Sequence, residues 1–446
     1  MAGRYAAISK QAPRWSEEMN ESRPSSGASK SSVSQISQLA PDPASSIPAV
    51  HLKGRFSGIN IFRKQIGQVD RAKAGDLVAV YGARKKLLGY GLYNSRSELA
   101  LRMLWRKEAL PTDDDWQQRL LNAVSLRQNV LRLNETSDAW RVIHAESDGF
   151  PGLVVDRLGD VLSAECFSLG MYRRAVALLE RLAPLLGTKH SIVSTSPKFE
   201  SQEGARPPEL RSEGCPHDVV ITEYDTRFRV RFEGGHKTGF FCDQRENRRK
   251  LTEFCAGKSV LDLCCYTGGF AVQAKKLGNA AEVTGVDLDE SPLKLAKENA
   301  NLNQQRIRFL QSDAFNYMRD MLANGTQFDV VVLDPPKLIR SRAEIEVGTR
   351  KHFELNRLAM RLVKPGGILL SCTCAGLLPE PEFIRLLASA AQQSGPVIQP
   401  ARDGRAARHG ARTMQIIART GAAPDHPVVS HCLETDYLNA AWMILR

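Results

Sequence analysis

The second half of the chain alternates between short apolar runs and amphipathic stretches, and this alternation constrains its fold more than any other feature. The apolar runs have the length of buried strands, and in the stretch after each one the apolar residues recur at three- and four-residue intervals. Such alternation predicts a parallel sheet with helices on both faces. The predicted strands and following helices are 259–264 and 269–277, 282–287 and 291–302, 306–310 and 314–323, 328–333 and 342–362, and 367–372 and 380–393, with two late strands, 413–419 and 437–445.

Residues suited to holding a nucleotide-like ligand stand at the predicted carboxyl ends of these strands. Residues 261–269 read Leu-Asp-Leu-Cys-Cys-Tyr-Thr-Gly-Gly, an apolar run that leads into a glycine turn and a helix start. Asp287 ends the second strand, where its carboxylate can accept hydrogen bonds from both ribose hydroxyls. Asp313 follows the third strand and could accept from an adenine amino group. Asp334-Pro335-Pro336-Lys337 follows the fourth. These ends meet at one edge of an open α/β sheet, so the ligand is expected there.

The glycine turn alone does not identify the ligand, because Tyr266-Thr267-Gly268-Gly269 differs from the G-x-G-x-x-G pattern of dinucleotide sites. An NAD domain is the alternative, since Asp287 would serve it equally well. Against NAD, nothing later in the chain resembles a hydride-transfer pair, and two prolines stiffen the fourth loop. The pattern therefore favours S-adenosylmethionine (SAM), with Gly268 and Gly269 allowing the backbone to approach it closely.

Cys372 and Cys374 stand at the end of the fifth strand, next to the fourth-strand loop. Being two residues apart, they point the same way in extended backbone. A cysteine is usually buried as a small apolar residue, but a thiolate here has a chemical use. Its addition to carbon 6 of a pyrimidine makes carbon 5 nucleophilic enough to take a methyl group, and loss of the carbon-5 proton then expels the thiol. Asp334 could bind the ring at N3 and stabilise the developing charge.

The chain is long enough for several domains. Residues 1–48 are rich in Ser, Pro and Ala and are expected to be a disordered tail. Residues 49–105 contain short strand patterns separated by glycine turns, as in a small β-barrel, and residues 106–220 mix helix and strand patterns in an α+β domain. Residues 221–446 form the predicted catalytic domain.

Positive charge is concentrated in residues 49–105, within a chain whose formal net charge is +12. This clustering is either a solvated basic face or the electrostatic footprint of a polyanion. Its position before a methyltransferase-like domain favours RNA. The basic residues predicted to contact RNA, together with one in the fourth-strand loop, are Lys53, Arg63, Lys64, Lys85, Lys86 and Lys337.

The composition argues against several other classes of protein. The sequence has no run of 18 apolar residues, which argues against a membrane span. The N-terminus has no apolar signal core. The nine cysteines form no paired CxxC motifs, so we predict no metal site and free thiols in a reducing compartment. The expected location is the cytoplasm.

Four segments resemble the bacterial large-subunit (23S) ribosomal RNA cytosine-C5 methyltransferases with an N-terminal PUA domain. Residues 236–248, His-Lys-Thr-Gly-Phe-Phe-Cys-Asp-Gln-Arg-Glu-Asn-Arg, are similar to the family's signature before the SAM domain. Residues 266–270 are similar to its SAM loop, and 334–337 to its fourth-strand motif. Residues 371–376, Ser-Cys-Thr-Cys-Ala-Gly, match its cysteine motif, and alignment on Gly376 makes Cys374 the nucleophile, with Cys372 left as the alternative.

The resemblance runs from about residue 50 to the C-terminus and has weaker support from 147–152 and 425–427. It implies a PUA-like RNA-binding domain, an α+β middle domain and a Rossmann-like SAM-dependent methyltransferase domain acting on ribosomal RNA. Catalysis is assigned to Cys374 with Asp334. By the same resemblance, the residues beside SAM are Lys237, Phe240, Phe241, Asp243 and Gln244. The other residues predicted to bind SAM are Asp262, Tyr266, Thr267, Gly268, Gly269, Asp287, Asp313 and Asp334.

Two other functions remain open from the sequence. Methylation of a ring or exocyclic nitrogen needs no thiol, but such enzymes tend to place an aromatic residue after Asp-Pro-Pro, where this chain has Lys337. A non-catalytic RNA-binding or ribosome-assembly factor with a SAM fold is the third possibility. The sequence also allows a homodimer and does not identify the target nucleotide.

Overall fold

The structure is a computed structural model that describes residues 15–17, 39–40, 46–54, 56, 58–232, 239–399 and 408–446. Lys237 and most of the predicted N-terminal tail lie outside these residues. The chain forms two compact units. Unit 1 comprises residues 1–221, 230–242 and 424–435, and unit 2 comprises residues 222–229, 243–423 and 436–446.

The helices and strands, in chain order, are β1 (Trp15–Glu17), β2 (Ala49–Leu52), β3 (Asn60–Ile61), β4 (Ile66–Asp70), β5 (Leu77–Tyr81), β6 (Leu87–Tyr93), β7 (Leu101–Trp105), α1 (Asp113–Ser125), β8 (Ala139–His144), β9 (Leu153–Leu158), β10 (Val161–Cys166), α2 (Leu169–Leu186), β11 (His190–Thr195), α3 (Phe199–Glu203), β12 (Leu210–Ser212), β13 (Asp218–Glu223), β14 (Thr226–Arg231), α4 (Arg245–Leu251), β15 (Ser259–Leu263), α5 (Gly269–Lys276), β16 (Glu282–Asp287), α6 (Glu290–Leu302), β17 (Arg308–Gln311), α7 (Ala314–Ala323), β18 (Phe328–Leu333), α8 (Ile345–Leu362), β19 (Val363–Thr373), α9 (Glu380–Ala391), β20 (Val397–Gln399), β21 (Arg408–His409), β22 (Met414–Thr420) and β23 (Asn439–Leu445).

The first sheet of unit 1 is buried on both faces. Its strand order is β3-β7-β6-β5-β2-β4, and only the β2–β5 pair is parallel. Within β5, Leu77 and Ala79 face one apolar core while Val78 and Val80 face another. Successive side chains of a strand point to opposite faces, so the continuous apolar run of β5 reflects a sheet with cores on both sides.

The second sheet of unit 1 has the order β1-β12-β11-β10-β9-β8 and one parallel pair, β10–β11, which α2 connects. Three residues of the stretch predicted to be disordered, Trp15–Glu17, pair with β12. One apolar core includes residues from both sheets, for example Leu92 and Trp140. Residues 49–105 and 106–220 were predicted as separate domains, whereas here they share this core.

The segment Pro424–Thr435 belongs to unit 1 although it lies between β22 and β23 in sequence. Asp425 anchors it: its carboxylate accepts from the Arg141 amide at 2.8 Å, and its carbonyl accepts from Arg127 at 2.6 Å. Arg127 is fully buried and also forms a bidentate pair with Asp148. Because a buried guanidinium needs several acceptors, these bonds tie the segment to the unit.

Unit 2 contains a seven-stranded sheet with the order β17-β16-β15-β18-β19-β23-β22. The strands from β15 to β19 are parallel, and β23 is antiparallel to both β19 and β22. The helices α7, α8 and α9 pack in succession, as do α4, α5 and α6. The predicted order of strands and helices is confirmed, with boundary shifts at the third strand, which starts at Arg308, and at the fifth, which extends over Val363–Thr373. The carboxyl ends of five parallel strands therefore share one edge.

Candidate active site

The loop between β15 and α5 is held in an unusual backbone conformation. Cys264, Tyr266 and Gly268 have φ values of 61°, 49° and 79°, in the left-handed region that non-glycine residues rarely adopt. A Cβ on Gly268 would lie 3.1 Å from Phe309, and one on Gly269 would lie 3.1 Å from Arg248. Phe309 and Arg248 pack against these glycines, so a side chain at either position would clash with the protein itself.

Arg248 supports this loop from below. It forms a bidentate ion pair with Glu223 at 2.7 Å, and Gln273 donates a third bond to the same carboxylate at 2.8 Å. All three side chains are buried. A buried ion pair is retained when its groups are fully hydrogen-bonded, and this one fixes α4 and α5 against each other beneath the glycine loop.

Asp287 lies at the carboxyl end of β16, as predicted. Its Oδ2 accepts from the amide of Tyr266 at 2.8 Å, and its Oδ1 accepts from the amide of Asp289 at 3.0 Å. An ionised carboxylate has about four acceptor positions, so ligand hydroxyls can still bind. Asp313 also has a structural role, because it caps the N-terminus of α7 by accepting from the Asn316 amide at 3.0 Å.

Asp262, in β15, is the most deeply buried carboxylate at this edge, with 1% of its surface exposed. Its Oδ2 accepts from the Ala271 amide at 3.0 Å, while its Oδ1 has no hydrogen-bond partner within the described residues. Burial raises the pKa of Asp262 well above its usual range, and repulsion from Asp334 and Asp287 acts in the same direction. A buried acceptor without a partner indicates a place for a ligand donor or cation.

Asp334 follows β18 and accepts a hydrogen bond from Nε2 of Gln244 at 3.1 Å. Asp243 accepts from the hydroxyl of Tyr437 at 2.6 Å. Asp243 and Gln244 are both buried, and they stand directly before α4. The predicted grouping of Gln244 with Asp334 is therefore present, while Phe240, also buried, belongs to unit 1.

The two cysteines of the fifth strand differ in exposure. Cys372 is fully buried within β19, whereas Cys374, just beyond the strand, is half-buried. Burial, with repulsion from Asp334, raises the pKa of the Cys372 thiol well above its usual range. Cys264 and Cys265 also have pKa values raised by burial. These thiols are poor nucleophiles because only the thiolate reacts readily.

The basic residues predicted to bind RNA are exposed. Lys53 follows β2, and Leu52 of β2 pairs with Ile66, so Lys53 and Lys64 lie near each other at one end of the sheet. The β5–β6 turn also carries exposed lysines, and its 3-10 segment packs on β2. Arg63 differs from them, because its guanidinium donates to backbone carbonyls at 2.7 and 3.3 Å. The exposed lysines of the set are Lys53, Lys64, Lys85, Lys86 and, after β18, Lys337.

Comparison with known proteins identifies the family of this chain. A family model described as an S-adenosylmethionine-dependent methyltransferase matches residues 206–397, and a PUA-like domain model matches residues 59–106. Ribosomal RNA large subunit methyltransferase I of Vibrio cholerae is 33% identical over 405 residues, covering 88% of this chain and 98% of that protein. The protein of the same name from Tolumonas auensis is 34% identical over 385 residues, covering 85% and 93%. The chain belongs to the family of ribosomal RNA large subunit methyltransferase I.

Solved structures agree on the fold of this family member. A methyltransferase complexed with SAH aligns over 87% of this chain and 95% of its own with a TM-score of 0.70 at 17% identity. A SAM-dependent methyltransferase from Streptococcus mutans aligns over 83% and 92% with a TM-score of 0.67 at 17% identity. The predicted fold and the prediction of a SAM-dependent methyltransferase are confirmed. In the part of the chain that the structure describes, no helix is long and apolar enough to cross a bilayer.

The residues at the sheet edge fit SAM. Its sulfonium and ammonium groups are cationic, and its ribose hydroxyls and adenine amine donate hydrogen bonds. The edge supplies acceptors of the matching kind, and the unpartnered Oδ1 of Asp262 is one of them. The carboxylates are Asp262, Asp287, Asp313 and Asp334. When bound, SAM supplies a methyl group activated by the positive sulfur.

Several residues of this site had no sequence prediction attached to them. Asn247 falls inside the recognised signature, but nothing in the sequence distinguishes it from its neighbours. Thr420 and Trp442 lie on the late strands, where no motif marks them. Trp442 donates to Thr420, Thr420 donates to Asn247, and Asn247 donates to Gln244. Only the folded sheet brings these residues together.

Proposed function

We propose that this protein is a SAM-dependent methyltransferase that forms 5-methylcytosine in large-subunit (23S) ribosomal RNA, with Cys374 as the covalent nucleophile. The names of its relatives support ribosomal RNA of the large subunit as the substrate. The chemistry of the fifth-strand thiol supports carbon 5 of a pyrimidine as the methylated atom.

The difference in exposure between Cys372 and Cys374, at the end of β19, is the observation that carries this proposal. Ser371 donates to Asn356 at 2.6 Å, and Thr373 lies 3.2 Å from His352, so both contact α8. Successive side chains alternate in a strand, which directs Cys372 toward the opposite face, and Cys374 follows one residue beyond the strand. Cys372 is sealed within the protein and Cys374 is half-buried, so Cys374 is the thiol available to a substrate base.

The proposed reaction follows from that thiol. The Cys374 thiolate adds to carbon 6 of the cytosine, the electron pair of the C5–C6 double bond shifts to form a C4–C5 double bond, and N3 takes up a proton, so carbon 5 of the resulting enamine is nucleophilic. Carbon 5 takes the methyl group of SAM as the sulfur–methyl bond breaks and S-adenosylhomocysteine is left. A base then removes the carbon-5 proton, the C5–C6 double bond re-forms as the thiolate is expelled, and N3 gives up its proton. The Asp334 carboxylate, held by Gln244, accepts from the N3–H and amino groups of the adduct and stabilises the addition.

RNA binding must also extract the target base from its stack, which costs about a few kcal/mol. Phosphate contacts from the exposed basic residues at the end of the first sheet would offset this cost. Lys337, in the loop after β18, is the exposed cation nearest in sequence to Asp334, and we assign it a phosphate contact.

Nucleoside analysis tests the proposed product. The protein is incubated with unmodified large-subunit ribosomal RNA and methyl-labelled SAM, and the RNA is then digested to nucleosides. 5-Methylcytidine supports the proposal. A base methylated on nitrogen would overturn it in favour of nitrogen methylation, and the absence of product from both naked RNA and ribosomal particles would favour a non-catalytic factor.

Two matched cysteine variants test the nucleophile. We expect Cys374→Ala to lose turnover by at least about 10³-fold while it still binds SAM, because the covalent step is removed and the cofactor site is not. Cys372→Ala should keep most of the activity. Full activity in Cys374→Ala would exclude the covalent role, and loss of activity in Cys372→Ala alone would reverse the assignment.

A further inference from the structure

We propose that Asn247, Thr420 and Trp442 are positioning residues that fix the orientation of the Gln244 amide, so that Gln244 always donates to Asp334. This inference rests on the proposed function, in which Asp334 binds the substrate base. It assigns to the two last strands of the sheet, β22 and β23, a role in the reaction.

Five residues, from Trp442 to Asp334, form a continuous relay of four hydrogen bonds inside unit 2. Nε1 of Trp442 donates to Oγ1 of Thr420 at 2.9 Å, and Oγ1 of Thr420 donates to Oδ1 of Asn247 at 2.6 Å. Nδ2 of Asn247 donates to Oε1 of Gln244 at 2.6 Å, and Nε2 of Gln244 donates to Oδ2 of Asp334 at 3.1 Å. Each bond thus connects one residue to the next without a break.

Two groups determine the direction of the hydrogen bonds in the relay, because one can only donate and the other can only accept. The indole N–H of Trp442 can only donate, so Thr420 accepts from it and has its own proton available for Asn247. The Gly421 carbonyl can only accept, and it takes a bond from Nδ2 of Asn247 at 3.3 Å. A flipped Asn247 would point its oxygen at this carbonyl, so the amide of Asn247 is fixed, and with it the amide of Gln244.

The fixed orientation matters because of what surrounds Asp334. Gln244 also lies beside the Cys372 thiol, whose pKa it lowers against the larger raising effect of burial. A flipped Gln244 would turn its carbonyl oxygen toward the Asp334 carboxylate. Asp262, Cys264 and Cys372 interact electrostatically with Asp334, and each of them repels its carboxylate when it is itself ionised. The hydrogen bond from Gln244 favours the ionised form of Asp334.

The anchor of the relay is rigid. Trp442 is fully buried in β23, and its ring lies 5.7 Å from that of Phe254. Thr420 is the last residue of β22, which pairs with β23. Thr420 and Asn247 are 173 residues apart in the chain, so this alignment exists only when β22 and β23 pair in register.

A double-mutant cycle tests the relay. Thr420→Val removes the hydroxyl at nearly constant size, and Thr420→Ser restores it. We expect Thr420→Val to lower kcat about tenfold, the scale of one lost hydrogen bond, and to move the acid limb of the kcat–pH profile to higher pH, because the Asp334 carboxylate loses its donor. SAM affinity should change less than kcat, the melting temperature should fall by a few degrees because the buried Trp442 N–H loses its acceptor, and Thr420→Ser should behave like wild type.

The cycle separates positioning from a structural effect. In a Gln244→Ala background the Thr420→Val substitution should have no further effect on kcat, because the relay acts through Gln244. Additive losses, or equal losses in Thr420→Val and Thr420→Ser, would overturn the inference. The kcat is measured for whichever methylated nucleoside the wild type makes, so a product other than 5-methylcytidine counts against the proposed function alone.

A spectroscopic readout needs no turnover. The side-chain amide NMR signal of Gln244, assigned by its absence in Gln244→Glu, should shift in Thr420→Val and keep its wild-type position in Thr420→Ser. An unchanged signal in Thr420→Val would overturn the inference even if the wild type made no product.

Discussion

His352 lies on α8 with 1% of its surface exposed, and its Nε2 is 3.2 Å from the Thr373 hydroxyl one residue before Cys374. Burial lowers the pKa of His352 to about 4. Its neutral form therefore supports the turn that carries the proposed nucleophile, and a proton would place an unpaired charge in the core. At the scale of single residues, a buried histidine couples the geometry of this turn to pH.

The sign of this coupling is a prediction. The unfolded state takes up the His352 proton near pH 6.5 and the folded state only near pH 4, so stability is lost as the pH falls through this window. Between pH 7 and pH 4 the wild type should lose up to about 3 kcal/mol more unfolding free energy than His352→Gln, which keeps a hydrogen-bonding group but does not titrate. Urea denaturation at a series of pH values measures the difference, and parallel curves for the two proteins would contradict it.

The turn between β5 and β6 shows how one element can combine strain with charge. Arg84 and Lys85 have φ values of 62° and 56°, both in the left-handed region, and the Gly82 amide donates to the Lys86 carbonyl at 2.9 Å across the turn. Tight hairpin turns of this hand usually carry Asn-Gly. Positive φ at two side-chain-bearing residues costs stability, and such strain concentrates at functional sites, which agrees with the proposed phosphate contact of this turn.

Substitutions in the β5–β6 turn should separate the effect of its backbone strain from the effect of its positive charge. We expect Arg84→Asn with Lys85→Gly to raise the unfolding free energy of unit 1 by about 1 kcal/mol, since the new pair adopts this backbone without strain. The same variant should bind ribosomal RNA more weakly. Arg84→Gln with Lys85→Gln is the matched control, which removes the charge and leaves the strain. Thermal unfolding and filter binding report the two effects, and unchanged RNA affinity in both variants would exclude the turn from the RNA contact.

At the scale of the whole molecule, the net charge of +12 gives a long-range attraction for a polyanion. A basic side chain can contact a phosphate readily only if it is exposed and is not already held by hydrogen bonds within the protein. Lys53, Lys64, Lys85 and Lys86 are exposed, while Arg63 is engaged by the carbonyls of residues 96 and 97. The lysines are therefore the better candidates for RNA contacts.

The salt dependence of RNA binding measures this distinction. Changing the four lysines to glutamine should reduce the magnitude of the slope of log K against log salt by about 3. Each phosphate contact that is lost leaves a counterion bound to the RNA, so binding releases fewer counterions. Arg63→Gln, as the control, should change the slope by less than any single lysine substitution does. An equal or larger change for Arg63→Gln would show that its backbone bonds break on binding RNA.

The sequence by itself determined the alternating fold, the strand-end acids and the cofactor class. Apolar periodicity, the glycine turn and Asp334-Pro335-Pro336 are written in consecutive residues, so local chemistry is enough to read them. The same signals could not show that Gly268 and Gly269 pack against the protein's own side chains. They also could not show that the two N-terminal sheets share a core.

Only the tertiary structure decided which cysteine is accessible and how Asp334 is held. Cys372 and Cys374 differ by two positions and have equivalent local patterns, and the packing over β19 distinguishes them. Gln244 and Asp334 are 90 residues apart, and Thr420 is farther from Asn247 still. Contacts over such separations depend on strand register and helix packing, which arise from the whole set of buried side chains and not from any single segment of the chain.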